Sequence, residues 1–308
     1  MNRRDFLRST ATAAPLLLAP GLAHAVLAAG TPDVVLTILH TNDMHSRLDP
    51  FPSDGLPTAG KGGMARRAAL IKQIRAESAH VLLLDCGDIW QGTPYFNFYG
   101  GELEYKLMTQ MGYDAATFGN HDFDNGLDGL QAQLPHAGFS FLSANYDFSR
   151  TPLAGRFAPH QVFARGGVRV GVFGLGIELA GLVPDAKFGA TRYLDPVAVA
   201  TQQVKALREQ QRVDFVICLS HLGYSYDTAK IDDRKLAAQV PGIDLVLGGH
   251  THTLLAVPEV VAAPNGWRTT INQVGWAGLN LGRIEVAFRR GKPLMASAAV
   301  LSVGPAVG

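Results

Sequence analysis

Residues 34–46, VVLTILHTNDMHS, run from a β-branched apolar stretch into a polar turn carrying Asp43 and His45, and this junction decides how the chain is read. The same transition recurs at VLLLDCGD (81–88), AATFGNHD (115–122), FVICLSHLG (215–223) and DLVLGGHTH (244–252). Short apolar runs bounded by Gly, Asn and Asp predict strands. Each of these ends on side chains able to ligate a metal: Asp43 and His45, Asp88, Asn120, His221, and His250 with His252. Between them, MARRAALIKQIRAESA (64–79), ELEYKLMTQMG (102–112) and PVAVATQQVKALREQQ (196–211) carry apolar residues at helical spacing, and Gly112 closes the second. Strands alternating with helices predict an α/β domain whose strand ends share one edge, where ligands collect.

Elsewhere the pattern is simpler. HQVFARGGVRVGVFGLG (160–176) predicts a hairpin turning at Gly166-Gly167. FSFLSAN (139–145) predicts a strand, and IWQGTPYFNFYGG (89–101) a glycine-rich aromatic loop. Residues 271–303 alternate like antiparallel strands with a turn at Arg290-Gly291. His40 and His80 read as satisfied core histidines, while His24, His136 and His160 are assigned no role.

The chain has 308 residues, 47% of them hydrophobic, with 27 basic and 26 acidic side chains interspersed, which describes a packed globular body rather than disorder. The first 25 residues stand apart. Arg3 and Arg4 precede a short apolar run interrupted by Pro15 and Pro20, ending in Ala23-His24-Ala25. This resembles a twin-arginine export signal, and it is too short and broken to be a stable membrane anchor. The expected organisation is a signal over 1–25, a short linker over 26–32 and one catalytic domain over 33–308, exported to the periplasm or beyond. Removing the leader leaves 24 basic against 25 acidic residues, so no electrostatic footprint for duplex nucleic acid remains. Cys86 and Cys218 lie in separate strand-like runs and read as buried free thiols.

The donor set mixes carboxylate, imidazole and amide oxygen with no thiolate, which suits Zn²⁺, Mn²⁺, Fe²⁺ or Co²⁺. On an extended segment Asp43-x-His45 places both side chains on one side and His250-x-His252 does the same, so each pair can grip one ion. Asp88, alone at its strand end, is suited to bridge two. Two ions about 3.5–4 Å apart clamp an in-line displacement at phosphorus. His121 directly follows Asn120 and is better placed to face a substrate, with Asp124 three residues on to orient it.

TNDMHS, LDCGD, GNHDFDNG, SHLG and GGHTH, in this order, resemble the catalytic domain of the 5'-nucleotidase branch of the calcineurin-like metallophosphoesterases. The resemblance implies a four-layer α/β/β/α sandwich. It also implies two divalent ions, one held by Asp43, His45, Asp88 and His252, the other by Asp88, Asn120, His221 and His250. His121 and Asp124 become the catalytic dyad, and His252 stands where some members carry Gln. Two-domain members add a second domain that stacks the base and holds the substrate. Here the expectation is a phosphate monoester of the nucleotide type found in that family. It would be recognised through Asn120 and through Trp90, Tyr95, Phe96, Phe98 and Tyr99, or with a separate protein supplying the substrate domain; the alternative for the aromatic run is to pack a helix or form a lid. Cleavage of cyclic nucleotides, thiosulfohydrolase chemistry, or a non-catalytic metal-binding module are the alternatives.

Overall fold

The computed structural model describes residues 32–289 and 291–304; the leader, most of the linker and Arg290 of the C-terminal turn lie outside the described residues. In chain order the first strands are β1 (Val34–Thr41), β2 (Val81–Asp85), β3 (Ala115–Ala116), β4 (Ser140–Phe141), β5 (Tyr146–Asp147), β6 (His160–Arg165) and β7 (Val168–Leu175). The rest are β8 (Arg192–Tyr193), β9 (Phe215–Ser220), β10 (Leu245–Leu247), β11 (Glu259–Ala262), β12 (Arg268–Asn272), β13 (Asn280–Arg289) and β14 (Lys292–Ser302). The helices are α1 (Met64–Glu77), α2 (Pro94–Tyr99), α3 (Glu102–Met111), α4 (Gly126–Gln133), α5 (Asp185–Phe188), α6 (Pro196–Lys205) and α7 (Asp233–Gln239).

Two six-stranded sheets form, ordered β14-β13-β1-β2-β3-β4 and β11-β12-β10-β9-β7-β6, with β5 and β8 paired separately. In the first sheet β1 to β4 are parallel, β13 runs antiparallel to β1 and β14 antiparallel to β13; in the second β7, β9, β10 and β12 are parallel and β6 and β11 antiparallel to them.

Period-two alternation explains how the sheets stack. Leu82 and Leu84 of β2 join Leu36 and Ile38 of β1 in a core shared with Val170, Val172, Ile217 and Leu219 of the other sheet. The intervening Val81 and Leu83 point the other way, onto Ile71 and Ile74 of α1 and Met108 of α3. Val216 and Cys218 of β9 likewise turn outward onto Val199 and Val204 of α6 and Leu236 of α7. The result is helix, sheet, sheet, helix, the four layers expected. Fully burying one such Leu or Val contributes about 1.5–3 kcal/mol, so the three apolar seams hold the layers in register.

Two local readings change, and the reading of the cysteines as free buried thiols holds. The aromatic run after Asp88 contains a helix, α2, started by Pro94 at its first turn and stopped by Gly100 in the left-handed region. The strand expected over 139–145 is only two residues long. Cys86 lies in the core between the sheets and Cys218 on the far side of the second sheet, which keeps these free thiols apart.

His40 is fully buried, as expected, but neither ring nitrogen makes a hydrogen bond, and burial lowers its pKa to about 3. His80 is only half-buried. The His40 ring lies across Gly282, its partner on β13, where a Cβ would meet Nε2 at 2.0 Å. Gly282→Ala is therefore expected to destabilise the chain by about 1–3 kcal/mol through overpacking. Urea denaturation of G282A beside H40A/G282A checks this: the double variant should regain part of the loss, and simple additivity would show that the ring is not the obstacle.

Candidate metal centre

The parallel strands of both sheets deliver their carboxyl ends to one edge. Asp43 and His45 follow β1, Asp88 follows β2 and Asn120 follows β3, while His221 follows β9 and His250 and His252 follow β10. Two clusters of donors form there, each drawing on both sheets: Asp43, His45 and His252, and Asp88, His221 and His250. Within each, the ligand atoms lie within 4.8 Å of one another.

His45 Nε2 is 2.9 Å from His252 Nε2, and Asp43 Oδ1 is 3.4 Å from the latter. Asp88 Oδ2 stands 3.1 Å from His221 Nε2 and 4.0 Å from His45 Nε2, so one oxygen faces both clusters. Asn120 Oδ1 lies 2.9 Å from His250 Nδ1. The pairing of His250 and His252 that strand alternation suggested is thus corrected: the two rings serve different clusters, the division that the family resemblance implied. The reason is local. β10 ends at Leu247, and His250 and His252 have φ of 70° and 52°, so extended-strand alternation does not govern them.

Asp43, His45 and Asp88 share this left-handed backbone, with φ of 51°, 49° and 54°. Five of the nine non-glycine residues with positive φ among the described residues are therefore candidate ligands. Each costs about 1–3 kcal/mol and is held by its surroundings. Backbone N–H groups of Asp43 and His45 donate to the Gly87 and Asp88 carbonyls at 2.9 and 3.0 Å, and His250 N–H donates to both Asp43 carboxylate oxygens at 3.0 Å.

The donor set fits divalent cations. Asp43, Asp88 and His221 are buried, and His221 Nε2 makes no hydrogen bond. Nδ1 of His221 faces the Cys86 carbonyl at 2.6 Å and Nδ1 of His45 faces the Gln91 carbonyl at 3.2 Å. With a cation bound, both rings would carry the proton on Nδ1 and turn the Nε2 lone pair inward, as metal-bound histidines do. Burial opposes charge on His221, yet Asp88 and Asp43 raise its pKa to about 10, which marks a place that favours a cation. Burial lowers the pKa of His250 to about 4 and also lowers that of His45, keeping those imidazoles neutral and able to ligate.

His121 stands beside these clusters rather than inside either. Its Nδ1 is 2.7 Å from Asp124 Oδ2, its backbone N–H donates to Asp88 Oδ1 at 2.8 Å, and its ring is 5.3 Å from that of His45. The hydrogen bond with Asp124 raises its pKa, against the effect of partial burial.

One residue that sequence reasoning passed over is Asp122. Its buried carboxylate accepts from the backbone N–H groups of Asp88 (3.0 Å), Ile89 (3.1 Å) and Gly119 (2.8 Å), with a longer contact from Trp90 (3.4 Å). It ties the loop carrying Asp88 to the loop carrying Asn120. Burial and nearby Asp88 raise its pKa to about 7, opposed by these donors. The only signal was a second carboxylate in GNHDFD, overshadowed by Asp124.

The aromatic run divides. Trp90 is fully buried and stacks on Tyr105 at 5.0 Å, and Phe96 packs against Trp90, so neither is free to stack on a base and both take the packing role that was the alternative. Tyr95, Phe98 and Tyr99 instead line a cavity of about 420 Å³ with Arg47, Asp49 and Thr93. Its walls begin two residues beyond His45 and Gln91.

Residues 36–254 match the calcineurin-like phosphoesterase family, and the chain belongs to it, a family of metal-dependent phosphoester hydrolases. It is 33% identical to a snake venom 5'-nucleotidase of Gloydius brevicauda over 89% of this chain and 49% of that protein. It is 35% identical to the trifunctional nucleotide phosphoesterase YfkN of Bacillus subtilis, over 88% of this chain and 19% of the relative. The 5'-nucleotidase precursor of Thermus thermophilus superimposes with a TM-score of 0.78 at 37% identity, covering 88% of this chain and 55% of that one. The chain thus spans about half the length of the nucleotidases it matches. Among the described residues, no helix is long and apolar enough to cross a membrane.

Proposed function

We propose that this chain is a dinuclear-metal phosphohydrolase that cleaves phosphate monoesters in the manner of a 5'-nucleotidase. The observation that carries the reading is the convergence of seven donors from both sheets, with the hydrogen-bonded His121–Asp124 pair beside them. Asp43, His45, Asp88 and His252 are proposed to hold one ion, and Asp88, Asn120, His221 and His250 the other. Bound divalent ions, whether Zn, Mn, Fe or Co, supply charge neutralisation at the phosphate and an acidified water.

The protein's own part falls to His121. Asp124 holds Nδ1, which leaves Nε2 to donate a proton to the leaving alkoxide or a hydrogen bond to the transferring phosphoryl group. The cavity at Tyr95, Phe98 and Tyr99 is the proposed seat of the leaving group, with ring faces for a base and Arg47 and Asp49 for its polar edges. Replacing Phe98 and Tyr99 together by Ala should raise KM for nucleoside monophosphates about tenfold, the scale of one lost base stack. Steady-state kinetics beside glycerol phosphate checks this, because KM for that ester should not move; an equal rise for both would remove the cavity from the reading.

Export rests on the paired Arg3 and Arg4, the apolar run and the Ala23-His24-Ala25 pattern. A separate substrate-domain protein is the proposed supplement wherever the cavity alone gives poor selectivity. The deciding experiment is phosphate release by the full chain loaded with Mn²⁺ or Zn²⁺, offered nucleoside monophosphates, a cyclic nucleotide, a nucleotide diester and an aryl phosphate. Metal-dependent release from nucleotides supports the reading. Failure with every monoester overturns it and turns attention to diesters or a thiosulfate ester.

A further inference from the structure

His252 is the donor with the least support. Its side chain is 39% exposed, against 10% for His45 and none for His221. His45 and His221 each have a backbone carbonyl at Nδ1, whereas the contacts of the His252 ring nitrogens among the described residues are those of Nε2 with His45 and Asp43. What fixes its plane is an indole: Trp276 stacks on it with ring centroids 5.5 Å apart and planes inclined by 3°.

The turn after β12 that carries Trp276 is held firmly, tied to both neighbouring donor segments, while the indole itself is 39% exposed. Val274 N–H donates to Asn42 Oδ1 at 3.1 Å, and Asn42 Nδ2 donates to the Gly275 carbonyl at 2.6 Å and to Asp43 Oδ2 at 2.6 Å. Ala277 N–H donates to the Asp43 carbonyl at 2.7 Å, and Gly275 N–H to the Thr253 carbonyl at 2.9 Å. The backbone of Trp276 is therefore placed relative to Asp43 and to the residue after His252, and its ring meets His252 and Phe51. Phe51 meets the Trp276 ring edge-on at 6.0 Å, and the Arg47 guanidinium covers Phe51 at 4.3 Å.

We propose that Trp276 is a positioning residue that fixes the ring plane of His252, and so sets the cation affinity of the Asp43–His45–His252 cluster separately from that of its neighbour. The indole does by stacking what a carbonyl or carboxylate does for other ligating histidines. This rests on the metal-centre reading above.

The experiment titrates Co²⁺ into the metal-depleted full chain by calorimetry and by tryptophan emission, for wild type, Trp276→Ala and Trp276→Phe. Wild type should take up two ions. Trp276→Ala should weaken one uptake about tenfold, the lower end for outer partners of a ligand, and leave the other within about twofold. Trp276→Phe, which keeps a flat ring, should restore most of the affinity and guards against a general loss of fold. The emission change that accompanies the affected uptake should shrink in Trp276→Phe, since Trp90 and Trp267 remain. Equal weakening of both uptakes, or none, overturns the proposal. Wild type that binds no Co²⁺ overturns the metal-centre reading itself.

Discussion

Asp88→Ala is expected to cut phosphate release by about a thousandfold or more and to lower the metal content of the purified chain. Asp88 presents one carboxylate oxygen to both donor clusters, 3.1 Å from His221 Nε2 and 4.0 Å from His45 Nε2. Its loss would therefore remove the proposed shared ligand rather than one of several. Metal-borne stabilisation of a phosphoryl transition state is worth several kcal/mol, and each 1.36 kcal/mol is about tenfold in rate. Phosphate release and elemental analysis on the same preparation check both halves. Asp88→Asn is the companion variant, since it keeps an oxygen to accept the His121 backbone N–H. Full activity with two bound ions in Asp88→Ala would remove Asp88 from the centre.

His121→Ala should lower kcat by about 10²–10⁴-fold while leaving metal content unchanged. The contrast with Asp88 is the informative part. His121 belongs to neither donor cluster, and Asp124 rather than a cation site engages its Nδ1. A proton donor lost from the chain should depress turnover of esters with poor leaving groups most, and aryl phosphates least, because an aryl oxide departs without help. A uniform loss across leaving groups would instead assign His121 to phosphate binding. Loss of bound metal in His121→Ala would make it a ligand and overturn the dyad.

Much of the fold could be read from the chain because five of its parallel strands, β1, β2, β3, β9 and β10, end at junctions that carry the candidate donors. Hydrophobic runs such as VLLLDCGD announce both the strand and where it stops. What could not be read was the path of the backbone past that stop. Alternation of side chains holds only while the chain is extended, and the left-handed turns at His250 and His252 send neighbours to different clusters. The aromatic run after Asp88 hid a six-residue helix whose start is marked by one proline, and burial divided its rings between core and cavity. Asp122 and Trp276 act through neighbours distant in sequence, by backbone N–H groups and a ring face, which no spacing rule encodes.

The left-handed donors also bear on how such a chain changes when its chemistry is no longer needed. At His45, His250 and His252, glycine would relieve about 1–3 kcal/mol of backbone strain apiece, against roughly 0.5–1 kcal/mol of added chain entropy. At Asp43 and Asp88 the carboxylates also accept the His250 and His121 backbone N–H groups, and glycine there would leave those donors unpaired. If the proposed metal chemistry ceased to matter, a descendant would have a downhill route to a sturdier protein at the three histidines alone, and its genes should record that route as glycines there, with the two aspartates kept.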